Sequence, residues 1–204
     1  MPARKDSRKV AQAWIELKAD DLEAASALEV AKGQLAAGQR LQRLRRMRLI
    51  ELEGKLPARD QLEALLHGST QFYNPHKERC VVRMAADEAP PLQPGERAVL
   101  VIERDGARRA AAERWWEHET GDSVQVREGV AWALSFDGGA DGAQDRDLAL
   151  VRGRRHGLLC NPHSQECRWA EESVPVPWIE TGSATSKDSA PRRRRSSPST
   201  RSKR

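Results

Sequence analysis

The sequence predicts an α+β fold: an N-terminal helical segment, a small mixed sheet with helices on one face, and a disordered basic C-terminal tail. Three observations carry that expectation. Apolar residues recur at helical spacing up to His67, and short β-branched runs alternate with Gly/Pro loops beyond Gln71. A rare segment, Asn-Pro-His-x-x-x-Cys, occurs twice, which predicts a duplicated strand-turn-strand motif inside the sheet. The expected units are a helical region at 1–68, an α+β domain at 69–180 and a tail at 181–204.

Taken in order, Ile15, Ala19, Leu22, Ala25 and Leu28 fall three and four apart and predict one helical face. Asp20 with Glu23 resembles a capping box that would divide this stretch into two helices. A further amphipathic run, Leu41, Leu44, Met47 and Ile50, carries Arg40, Arg43, Arg45, Arg46 and Arg48 on its other side, and Gly54 and Pro57 stop it. Asp60 to His67 reads as a third helix. Strands are predicted at Cys80–Met84 and Ala98–Glu103, separated by a Pro/Gly loop. Asp105 is placed to cap an Ala-rich helix that ends near Gly121. Ser123–Phe136 reads as one or two strands, Gly138–Gly153 as loop or weak helix, and Gly157–Cys160 as another strand.

The bulk numbers bound the function. With 38% apolar and 32% charged residues in 204, the core is modest and the surface heavily charged. No apolar run is long enough to cross a bilayer, the start Met1–Lys5 lacks a secretory apolar stretch, and three cysteines are an odd number. A cytoplasmic protein without a membrane partner is expected. The net charge of +5 is misleading as a whole-surface property. Residues 187–204 hold eight Lys/Arg against Asp188, a local +7, and subtracting this from +5 leaves −2 for residues 1–186.

The duplicated segment is Tyr73-Asn74-Pro75-His76-Lys77-Glu78-Arg79-Cys80 and Cys160-Asn161-Pro162-His163-Ser164-Gln165-Glu166-Cys167. It uses both asparagines and all three cysteines of the chain, so chance is a poor account of the match. Either Asn-Pro begins a tight turn between two strands, or Asn caps a single helical turn with Pro at its first position. Three chemical readings stay open. The cysteines are small buried core residues and the histidines turn residues. Alternatively His76, Cys80, Cys160, His163 and Cys167, which are ligand types zinc prefers, form a metal site. Finally, a Cys–His pair serves as nucleophile and base, or the turns form a small-ligand pocket.

In the tail, Arg192, Arg193, Arg194, Arg195, Arg201, Lys203 and Arg204 are suited to phosphate contact without sequence specificity. The arginine-rich run at 40–48 either offers the helical region a face for an acidic protein partner or is solvated and paired with acids such as Glu51 and Glu53. No phosphate loop, dinucleotide fingerprint, His-Glu-x-x-His or nucleophile elbow occurs. The expected function is therefore a non-catalytic accessory or interaction protein whose tail adds affinity for nucleic acid or another acidic partner. The alternative is a metal-binding protein, enzyme or not, built on the paired turns.

Overall fold

The computed structural model describes residues 9–138, 142–153, 155–170 and 173–179. The tail expected at 181–204 lies outside them. The described chain is α+β, with six strands and four α-helices: β1 (Lys9–Leu17), α1 (Leu22–Gln34), β2 (Leu41–Gly54), α2 (Arg59–His67), β3 (Glu78–Arg83), β4 (Arg97–Glu103), α3 (Ala110–Thr120), β5 (Val124–Phe136), α4 (Gly142–Ala149) and β6 (Gln165–Trp169). The strands form one sheet in the order β3-β1-β2-β5-β4-β6. Every pairing is antiparallel, where a mixed sheet was expected. The sheet is continuous across residue 68.

That order reads the same from either edge. β1-α1-β2-α2-β3 and β4-α3-β5-α4-β6 are two passes of one topology, joined through the β2–β5 pair. The registers place the symmetry axis. Ile15 lies between Cys80 and Arg48, and Val101 lies in the same way between Cys167 and Val130. Arg48 and Val130 are thus equivalent positions, and they pair with each other. A pseudo-two-fold axis passes between them.

The N-terminal region corrects the helical expectation. Lys9–Leu17 and Leu41–Gly54 are strands, and only Leu22–Gln34 and Arg59–His67 are α-helices there. In β1, Ala11, Ala13 and Ile15 are buried on one face while Gln12 and Trp14 are buried on the other. A strand buried on both sides shows no polar alternation, so its residues offer no period of two to read. In β2 the Leu/Arg/Met/Glu composition favours helix intrinsically, and the tertiary pairing overrides that weak preference. The α1 cap is Asp21, not Asp20: its carboxylate accepts from Glu23 N–H at 2.9 Å and Ala24 N–H at 3.2 Å. Asp105 does not cap α3, whose N-cap position is Arg109. Ser123–Phe136 is covered by one strand, and Gly157–Cys160 contributes only a bridge from Cys160 to Leu150.

All four helices lie on one sheet face, in two apolar clusters that the axis exchanges. α2 and α3 cover Ala13, Ile15, Ile50, Leu52 and Val126; α1 and α4 cover Leu44, Val99, Val101, Trp132 and Leu134. Trp116 of α3 is completely buried. Burying an indole of that size is worth roughly 4–6 kcal/mol. Its Nε1 is buried without a hydrogen-bond partner, which costs about 1–3 kcal/mol. Burial wins.

Near the axis runs a charged seam. Arg48 bonds Phe72 O at 2.8 Å and Glu78 at 3.2 Å and reaches Glu128, while Arg46 pairs with Asp21 and Glu23. Arg45, on the other face, bridges Glu16 and Glu96 at 2.8 Å each. Of the roles expected for this arginine run, a face for an acidic partner or pairing with acids of the chain, Arg45, Arg46 and Arg48 take the second.

Candidate functional site

The paired turns resolve into one local device. Asn74 C=O accepts from Lys77 N–H at 3.0 Å and Glu78 N–H at 2.8 Å, and Asn74 Oδ1 accepts from His76 N–H at 3.0 Å. The Glu78 carboxylate returns to Asn74 N–H at 2.6 Å. The second copy matches bond for bond. Asn161 C=O accepts from Ser164 and Gln165 N–H, Asn161 Oδ1 accepts from His163 N–H at 3.0 Å, and Gln165 Oε1 accepts from Asn161 N–H at 2.9 Å. This is the Asn-capped helical turn, closed by a reciprocal side chain in the manner of a capping box. Pro sits where its missing N–H costs nothing. Each turn feeds directly into an edge strand.

The sheet order settles what the turns share. β3 and β6 are opposite edges, five spacings of ~4.8 Å or ~24 Å apart along the sheet. They also run in opposite directions, so the turns stand at diagonal corners. His76 and Cys80 are therefore not brought to Cys160, His163 and Cys167. His76 and His163 are both exposed. Cys160 is fully buried, and its thiol meets that of Cys167. Among the described residues no group of three or more His, Cys, Asp or Glu side chains gathers as a metal site.

Burial sets the chemistry of the thiols. Desolvation pushes Cys80 up to about 12, with Glu63 adding to the effect. Cys160 is likewise pushed up to about 12 by burial, with Cys167 beside it. Burial also raises Cys167. Each is a neutral thiol near pH 7, and a neutral thiol is a weak nucleophile.

A recess adjoins the first turn. It is a groove of about 620 Å³ between α2 and β3, lined by Glu63, Ala64, Leu66, His67, Tyr73, Cys80 and Val82, with Arg59 at its end. The Tyr73 hydroxyl and His67 Nδ1 are 3.0 Å apart. Desolvation raises the Tyr73 phenol, so it stays protonated. The second repeat differs at the equivalent place. Twelve positions separate Ala149 from Asn161 against seven between His67 and Asn74, and the longer loop folds back through the Leu150–Cys160 bridge.

The edge beside the groove is open in its middle. Lys18 N–H bonds Lys77 C=O, so antiparallel alternation turns the backbone groups of Arg79 and Val81 inward and those of Glu78, Cys80 and Val82 outward. Arg59 takes Val82 C=O at 2.6 Å, and Asn74 takes Glu78 N–H. The Cys80 N–H and C=O between them meet no partner among the described residues. Cys80 was singled out by the sequence. Arg59, Glu63 and His67 fall four apart on one face of α2, and only the packing of α2 on β3 brings that face to the groove.

No helix of the described residues is long and apolar enough to cross a membrane. No family model matches the chain, and no match was found among curated proteins or solved structures.

Proposed function

We propose that this chain is a non-catalytic interaction protein, built from a duplicated β-α-β-α-β unit, that receives an extended segment of a protein partner along β3. The tail adds electrostatic affinity for nucleic acid or another acidic surface. The observation that carries the reading is the open Cys80 backbone beside a 620 Å³ groove whose Cys80 and Tyr73 side chains are un-ionised. An added strand bonds through its main chain while one apolar side chain enters the groove against Leu66 and Val82. Arg59 and Glu63 at the rim would select charges on the incoming segment.

Ala64 is exposed at the groove and bears no core contact, so Ala64→Trp fills the recess with little effect on the fold. Random peptides selected on the full chain should bind the wild type and lose at least tenfold in affinity to Ala64→Trp. Peptides that bind both proteins equally would place the contact elsewhere and remove the basis of this reading.

A further inference from the structure

The sheet face opposite the helices is apolar, with Trp14, Met47, Leu49, Leu100, Ile102, Ala131 and Ala133 buried on it. It is covered in part by a short strap after β6, whose Val174, Trp178 and Ile179 pack onto it. The Trp178 and Trp14 rings lie 6.1 Å apart. Three polar side chains on adjacent strands hold that strap by its main chain. Arg83 donates to Val174 O at 2.7 Å, Gln12 donates to Pro175 O at 2.8 Å, and Glu51 accepts from Trp178 N–H and from Ile179 N–H at 2.9 Å. Gln12 also bonds both Glu51 and Arg83, at 2.8 and 3.2 Å. All three residues are at most 3% exposed.

The other repeat shows what this face looks like without them. The pseudo-two-fold carries Gln12 to Ala98, Glu51 to Ala133 and Arg83 to Ala170, three alanines in the same register. A permanently covered sheet face is served by such apolar residues, because buried charges cost desolvation that only full hydrogen bonding offsets. A carboxylate, an amide and a guanidinium together have a different property. They bond backbone N–H and C=O groups when covered and are hydrated when uncovered, so the face tolerates both states.

We propose that Gln12, Glu51 and Arg83 form a receptor for an apolar, proline-containing segment bearing one tryptophan, which is read through its main chain. Residues 174–179 occupy this receptor as an exchangeable, autoinhibitory strap. Trp14 supplies the seat for the incoming indole, and the three polar groups fix register without reading further side chains. The site is separate from the β3 groove, on the opposite side of the sheet from α2.

The test uses the full chain and a fluorescent peptide with the sequence of residues 172–181, followed by anisotropy. Trp178→Ala weakens the strap in place, so the peptide should bind this variant at least tenfold more tightly than the wild type. Adding Glu51→Ala to Trp178→Ala should abolish that gain. Equal peptide affinity for wild type and a folded Trp178→Ala chain overturns the proposal. If Trp178→Ala does not fold, hydrogen exchange of the wild type decides. Trp178 and Ile179 amides exchanging at least tenfold faster than those of β2 support release of the strap, and exchange at the β2 rate refutes it.

Discussion

At the scale of single residues, the two Asn-Pro-His turns show why a rare pattern recurs without a shared active site. Each asparagine supplies a backbone acceptor and a side-chain acceptor to the same turn, and each is answered by the residue four positions on. The histidine contributes its N–H and leaves its ring in solvent. Replacing Asn74 or Asn161 by Ala should therefore cost about 1 kcal/mol of unfolding free energy in urea titrations. His76→Ala and His163→Ala should stay within about 0.5 kcal/mol of wild type. A histidine change that cost as much as an asparagine change would reopen a role for the rings. The cysteines follow the same logic: desolvation keeps the protons on Cys80 and Cys160, so burial rather than reactivity describes them.

At the scale of elements, what holds α3 to β5 is more telling than α3's own sequence. Its N-cap residue makes no side-chain cap, and Glu113 of the first turn instead accepts from Val126 N–H at 3.0 Å and from Arg108 at 2.7 Å. The Arg108 guanidinium holds the Glu113 carboxyl below the usual carboxylate range, helped by that backbone N–H. A depressed folded pKa means the unfolded chain binds the proton first as pH falls. The stabilisation is complete above the unfolded value near 4.3 and is lost as pH drops through the lower folded value. Glu113→Gln should be less stable than wild type by about 1 kcal/mol at pH 7. In thermal melts from pH 7 to pH 2 the gap should close below about pH 4. A gap that stays constant with pH would show that the carboxylate charge is irrelevant to the α3–β5 contact.

At the scale of the whole molecule, charge and shape are divided between two parts of the chain. Arg45, Arg46 and Arg48 of β2 are paired with acids of the chain, and residues 1–186 carry a formal charge of −2. The seven cations proposed for phosphate contact all lie beyond residue 191. Removing residues 187–204 changes the formal charge from +5 to −2 and touches none of the described contacts. Full-length protein should bind single-stranded polynucleotide with log K falling against log salt at a slope of up to about −5. The shortened chain should lose that binding and keep its melting temperature. Binding that survives the deletion would move the contact to the folded part.

Much of this was legible in the residues themselves. The α+β class, the strands at Cys80–Met84, Ala98–Glu103 and Ser123–Phe136, and the recurrence of one turn follow from β-branched runs and from the local physics of Asn-Pro. These signals are short-range, so one stretch of chain carries them whole. The N-terminal strands were not legible, because a strand buried on both faces has no alternation and β2 is composed of helix formers. The β3 groove and the Gln12–Glu51–Arg83 cradle were equally hidden. The groove forms only when α2 packs on β3, and the three cradle residues stand tens of positions apart and meet only through the antiparallel registers of β1 with β2 and β3. The sequence by itself determined that the Asn-Pro-His turn recurs, which strands form between Cys80 and Phe136, and where the positive charge resides. The tertiary structure alone decided which strands are neighbours, and hence that the two turns stand at diagonal corners while three distant polar residues share one face.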